Sequence, residues 1–205
     1  MCGRFALTAT TKDIEKLMAF KVFSEEYTPS DNIAPGAKIY AIVDNAPDHL
    51  STLQWGLIPS WSKDISIGNK MFNARAETVW EKVSFRHLIN KKRCLIPASS
   101  YFEWKQIDGK EKKQKYRIGI IDQPIFFFAG LWDEWKNPAT QSIVKSATII
   151  TCEPNEEMSK IHNRMPVIIN STMLDAWLAP NLERSNIETL LMPYLEKKMY
   201  FAVEN

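Results

Sequence analysis

Arg93-Cys94-Leu95-Ile96-Pro97 and Ser100-Tyr101-Phe102-Glu103-Trp104-Lys105-Gln106 are two extended, largely apolar runs parted by Ala98-Ser99, and the fold reading starts from them. Runs this short, rich in β-branched and aromatic residues, read as strands. Further runs follow at Gln114–Ile121, Ile125–Trp132, Ala147–Cys152 and Val167–Ile169, and two precede at Ile39–Val43 and Leu50–Leu57. Asp108-Gly109 marks a hairpin turn, with Lys110-Glu111-Lys112-Lys113 as its solvated tip. Helical spacing is confined to Thr11–Phe20, capped at Thr10 or Thr11, to Glu77–Asn90, with a break near Ser84 left open, and to Thr172–Leu178 and Ser185–Tyr194 near the C-terminus. The last would open on a Ser185-x-x-Glu188 capping box. Strands mostly precede the late helices and do not alternate with them. The expected fold is therefore α+β: one domain over 1–205, an antiparallel, barrel-like β-sheet with flanking helices.

Composition narrows the class. The chain has 205 residues, 45% hydrophobic and 24% charged, as in an ordinary globular protein. Its 26 basic and 24 acidic side chains leave a net charge of +2. A uniformly basic nucleic-acid coat is excluded, a local basic groove is not. There is no basic-apolar signal segment and no run near the ~18 residues of a spanning helix, so no membrane partner is expected. Cys2, Cys94 and Cys152 are odd in number, far apart and without metal-ligand spacing, which points to a reducing cytoplasm and to no metal or other cofactor. Cys94 and Cys152 read as core strand residues.

Cys2 is different. It stands directly behind Met1 in Met1-Cys2-Gly3-Arg4-Phe5. Trimming of the methionine would leave one residue with a free amine and a free thiol. An α-amine titrates near 7.7–8.0, about two units below lysine, so part of it is neutral at pH 7. With the β-thiol it can close on an aldehyde to form a thiazolidine ring. The plain alternative is a start methionine followed by a turn.

Four more segments are unusual for core or loop: Asp31-Asn32-Ile33-Ala34-Pro35-Gly36, Gln54-Trp55-Gly56-Leu57-Ile58-Pro59-Ser60-Trp61, Phe72-Asn73-Ala74-Arg75-Ala76-Glu77, and Ile161-His162-Asn163-Arg164-Met165-Pro166. Glu103 sits inside an aromatic strand, so it either faces outward or is desolvated with a raised pKa, as a general acid near neutral pH requires.

These segments, in order from residue 2 to about 169, closely resemble the SOS response-associated peptidase (SRAP) family. The resemblance implies an α+β fold of that family's type and covalent capture of abasic sites in single-stranded DNA by the mature N-terminal cysteine. Position by position it makes Cys2 the nucleophile and Asn73, Glu103 and His162 its catalytic companions. DNA contacts would fall on Arg4, Trp61, Arg75 and Arg164, and further on Asn32, Pro35, Trp55 and Trp104. The implied partner is abasic single-stranded DNA, bound by a monomer. Histidine chemistry suits opening of the closed sugar, Glu103 suits proton transfer during loss of water, and Asn73 can orient amine or hydroxyls. Trp61 is expected to be exposed, whereas Trp132, Trp135 and Trp177 are expected in the core. Two other enzyme readings remain open at this point, a glutamine amidotransferase and a thiol (auto)peptidase, along with a non-catalytic single-strand binder.

Overall fold

The computed structural model describes residues 2–17, 22, 23, 27–107, 111–195 and 198–204. Its strands are β1 (Phe5–Leu7), β2 (Val22–Phe23), β3 (Ser30–Ile33), β4 (Lys38–Val43), β5 (Ala46–Trp55), β6 (Asn73–Arg75) and β7 (Arg93–Ala98). There follow β8 (Ser100–Lys105), β9 (Gln114–Ile120), β10 (Phe126–Lys136), β11 (Ile143–Cys152), β12 (Met165–Pro166), β13 (Ile168–Ile169) and β14 (Met199–Glu204). The helices are short: α1 (Thr11–Leu17), α2 (Glu156–Ser159), α3 (Leu174–Leu178) and α4 (Arg184–Leu190). The expected α+β class and every expected extended run are present. The Asp108-Gly109 turn lies outside the described residues; Glu111, Lys112 and Lys113 beside it are exposed.

Five strands close on themselves. β11 pairs with β10, β10 with β7, β7 with β4 and β4 with β5, all antiparallel. A parallel pairing of Ser146 with Gln54 and Ala147 with Trp55 then joins β11 back to β5. The closing seam therefore departs from the antiparallel expectation, as do the parallel β6–β11 and β2–β5 pairs. Closure removes the open edges of the barrel. A second sheet runs in the order β14-β9-β8-β1-β3. Its β1 carries Phe5, whose ring lies edge-on to Trp55 at 5.1 Å and to Phe128 at 5.7 Å. Such T-shaped contacts suit the ring quadrupoles. Phe5 thereby fastens the N-terminus of the chain to the barrel core.

Cys94 and Cys152 are buried strand residues, and burial pushes the Cys152 thiol up to about 12. Trp132, Trp135 and Trp177 are core residues as expected. Among the described residues no helix is long and apolar enough to cross a membrane.

Thr10 caps α1: its hydroxyl accepts from the Asp13 N–H (3.3 Å), and Asp13 accepts from the Thr10 N–H (3.0 Å). Residues 18–20 of the expected helix lie outside the described residues. The helix expected over Glu77–Asn90 is instead a 3₁₀ turn, Ala76–Thr78, followed by separate turns whose hydrogen bonds restart at Thr78, Lys82, Phe85 and Leu88. Phe85, Leu88 and Ile89 share helical spacing, but Val79 falls off their stripe, and broken turns let all four face inward. The Ser185 capping box is also corrected. α4 starts at Arg184 behind Glu183, and Glu188 pairs with Arg184 at 2.7 Å instead of reaching back to the cap. Its end at Leu190, short of Tyr194, precedes Pro193, which has no N–H to extend a helix. Strand β14 was not expected; it lies along β9, where Glu204 meets Lys115 and Arg117.

Gly56 ends β5 with φ at +129°, and a Cβ there would lie 2.5 Å from the Gly68 carbonyl oxygen. Its N–H donates to Ala147 O (2.8 Å), next to the closing seam. Gly56→Ala should therefore cost about 3 kcal/mol of stability, read from urea unfolding midpoints. An unchanged midpoint would show that the loop over residues 56–72 yields freely.

Candidate active site

Three segments converge on residue 2. The first is the N-terminus itself. Phe5 pairs with Tyr101, and the Phe102 N–H donates to Arg4 O (2.9 Å), so the continuing antiparallel register sets Gly3 opposite Glu103. The second is β6, held on β11 with Asn73 opposite Ile149. Ala74 turns inward, and the Asn73 side-chain N–H donates to the Cys2 carbonyl at 2.9 Å. The third is the turn after α2. Asn155 caps that helix by accepting from the Met158 N–H (2.8 Å), and the His162 N–H closes the turn on Met158 O (2.9 Å). The turn sets His162 Nε2 3.8 Å from Glu103 Oε2. The four residues that sequence reading named as catalytic thus lie together around residue 2.

Their surroundings set their protonation. Cys2 is fully buried, and desolvation, reinforced by the Glu103 charge, drives its thiol far above the ordinary range. It is a thiol at neutral pH, not a thiolate. Glu103 is 3% exposed, and burial lifts its carboxyl from about 4.5 to about 7. Burial also lowers the His162 pKa, so the ring is neutral at pH 7. Its Nδ1 accepts from the Arg164 N–H (3.1 Å), which leaves the ring hydrogen on Nε2, the nitrogen facing Glu103. A half-protonated carboxyl beside a neutral imidazole can move protons in either direction near pH 7.

The residues named for DNA contact divide. Arg75 is exposed, and Arg4 reaches exposed Asn32 at 2.7 Å. Pro35 and Trp104 are half-buried. Trp61 is 56% exposed on a loop pinned from below: the Ser60 N–H donates to Asp133 (2.8 Å) and the Trp135 indole N–H to Ser62 O (2.7 Å). The Ile58 N–H bonds Ser146 on β11, three residues from the Asn73 register. At about 3.3 Å per residue, that places the loop's root roughly 10 Å along the strand from Asn73. Trp55 cannot stack on a base. It is fully buried, its indole N–H donates to Phe72 O (2.9 Å), and its ring serves the core around Phe5. Arg164 is largely buried, its guanidinium held by both Glu77 oxygens (2.7 and 2.9 Å) and by Thr151 O (2.6 Å). Glu77, Thr151 and Tyr101 had no assigned role in the sequence reading. Tyr101 packs behind Cys2 with its hydroxyl on Met158 Sδ (3.5 Å). Among the described residues there is no group of three or more His, Cys, Asp or Glu that could hold a metal ion.

The raised Glu103 carboxyl has a measurable sign. Between about 4.5 and about 7 the folded protein keeps a proton that the unfolded chain has released. Stability should therefore fall as pH rises through that window, by up to about 3 kcal/mol. Glu103→Gln should flatten the slope in urea unfolding at pH 5 and pH 7.5; an equal slope in both proteins would refute the burial argument.

The chain is 45% identical over 198 residues to the abasic site processing protein YoqW of Bacillus subtilis, covering 95% of this chain and 88% of that one. It is 28% identical over 192 residues to the abasic site processing protein HMCES of Pongo abelii, over 75% of this chain and 54% of the relative. A crystal structure of a protein from Bacteroides thetaiotaomicron superposes with a TM-score of 0.89 at 29% identity, over 100% of this chain and 92% of that one. The model of the SOS response associated peptidase family matches residues 1–204, and the chain belongs to that family.

Proposed function

We propose that this protein captures abasic sites in single-stranded DNA as a covalent adduct on Cys2. The single observation that carries the reading is the convergence of Asn73, Glu103 and His162 on a buried residue 2, in a chain akin to proteins named for abasic site processing. The reading requires removal of Met1, because only then is the Cys2 nitrogen an amine.

The pocket's protonation pattern fits an amine-first order. His162, neutral and with its hydrogen on Nε2, passes a proton during opening of the sugar hemiacetal to the aldehyde. The Cys2 amine adds to the aldehyde carbon. Glu103, half-protonated near pH 7, gives a proton to the carbinolamine hydroxyl, which leaves as water while the nitrogen lone pair closes the C=N bond, giving an iminium and a Glu103 carboxylate. The thiol, protonated until then, passes its proton to the Glu103 carboxylate as sulfur adds to that carbon, and the C=N electron pair returns to nitrogen, which leaves a neutral ring amine and restores the acid. The five-membered thiazolidine closes within one residue, so proximity favours the last step. The ring consumes the aldehyde and with it the route to β-elimination and strand breakage. The Asn73 amide holds the Cys2 carbonyl and keeps the amine aimed. Burial that keeps the thiol protonated weighs against a thiol peptidase acting through a free thiolate.

For the DNA, Arg4 and Arg75 supply the phosphate contacts and Trp61 a stacking face. Few cationic contacts and a net charge of +2 imply modest non-covalent affinity. Persistence comes from the covalent bond.

Wild-type protein whose N-terminal mass shows loss of Met1 should give a heat-stable shift of a single-stranded oligonucleotide carrying one abasic site. Cys2→Ser should keep a borohydride-trappable Schiff base but lose the stable adduct. A serine variant that holds DNA through heat denaturation as well as wild type would sink this mechanism. In fluorescence anisotropy with uncut, reduced abasic DNA, Trp61→Ala should weaken binding by about 1–3 kcal/mol, and Arg75→Ala should lower the salt slope by about one. Binding untouched by both changes would move the DNA to another face.

A further inference from the structure

We propose that Glu77 is a positioning residue for the site: it clamps the Arg164 guanidinium, and the Arg164 main chain in turn holds the His162 ring in its Nε2–H form. The inference rests on the function proposed above and concerns how the same pocket is kept in register.

The clamp is bidentate, with Glu77 Oε1 to Nη1 at 2.7 Å and Oε2 to Nη2 at 2.9 Å. Nη2 also donates to Thr151 O at 2.6 Å. The Arg164 side chain is 12% exposed and that of Glu77 42%. Parallel, charge-assisted bonds of this kind fix direction as well as distance. Burial opposes ionisation of Glu77, yet the hydrogen bonds and charge of Arg164 hold its carboxyl below the usual range, so the pair is ionic at neutral pH.

Three pieces of chain meet at this clamp, and each bears on the site. Glu77 lies four residues after Asn73, just beyond β6. Thr151 is the β11 residue opposite Arg75. Arg164 lies two residues after His162 and gives its main-chain N–H to His162 Nδ1. The clamp therefore spans the site, from the segment that holds the Cys2 carbonyl to the segment that faces Glu103. If it opened, the Arg164 N–H could turn away from Nδ1, and the imidazole could rotate or exchange tautomers. Its hydrogen would then no longer point at the carboxyl it must serve.

The test compares wild type with Glu77→Gln, which keeps the shape and removes the charge, and with Arg164→Lys, which keeps the charge and removes the fork. Single-turnover capture of abasic single-stranded DNA, measured across DNA concentrations, should show the saturating rate constant falling about tenfold while the half-saturating concentration stays within about twofold. Nitrogen-15 NMR of the imidazoles, only three in this chain, should show His162 as one Nε2–H tautomer in wild type and as a mixture in Glu77→Gln. An unchanged rate constant and an unchanged tautomer overturn the inference. So does tighter DNA binding with a steeper salt dependence, because Glu77 would then be a competitor of phosphate for Arg164. Should Glu77→Gln fail to fold, Arg164→Lys is read in the same way. A wild type that never captures DNA removes the proposed function, whereas the NMR measurement still decides whether Glu77 sets the ring.

Discussion

The burial of Phe5 is the constraint on which the rest of the structure depends. A chain terminus ordinarily frays, because few contacts offset the entropy of ordering it. Here the third residue after Cys2 sits between Trp55 and Phe128, in a strand hydrogen-bonded on both sides to β8 and β3. Burying a phenylalanine of this kind contributes roughly 2–3 kcal/mol, and the strand bonds add direction. The result is a terminus with a fixed address. Trp55 and Phe128 belong to the closed barrel, so barrel closure and placement of residue 2 are one packing problem. That is why the core tryptophan of the Trp55-Gly56 turn matters to the site without touching any ligand.

Fixing the terminus inside the protein also sets the chemistry. The same desolvation that makes Cys2 a poor thiolate makes Glu103 a good proton donor near pH 7 and keeps His162 uncharged. In the proposed capture, this one environment holds back the sulfur until the carbon is electrophilic and readies the acid that removes water. The pocket is ordered by hydrogen bonds of unlike kinds: an amide on a carbonyl at Cys2, a main-chain N–H on imidazole at His162, and an ion pair at Arg164.

Much of this was legible in the residues. Alternating and continuous apolar runs marked the strands, since β geometry writes itself into short windows. A glutamate among aromatics in Tyr101-Phe102-Glu103-Trp104 posed the question of burial and was answered by it. The turn segment after Glu77 was misread because Phe85, Leu88 and Ile89 carry helical spacing, while only the shape of the core shows that Val79 must face inward too. Ser185 and Glu188 had the spacing of a cap, but Arg184 competed for the carboxylate. Trp55 and Trp61 stand six residues apart in one motif, yet one is core and the other surface. Exposure of Trp61 was legible from Pro59-Ser60 before it, but the burial of Trp55 was not, because it is made by Phe5 and Phe72 on other elements.

The sequence by itself determined which groups are available: a thiol at position 2, joined by an amine once Met1 is removed, an amide, a carboxyl and an imidazole in motifs far apart along the chain, and a composition able to bury a core. Only the tertiary structure decided what those groups are. Proton affinities depend on the water removed and the charges brought near, and both are set by contacts between residues far apart in the chain, such as Cys2 with Asn73 and Glu103 with His162. The role proposed for Glu77 belongs wholly to this second kind, since its partner Arg164 lies 87 residues away and is brought to it where β6 lies along β11.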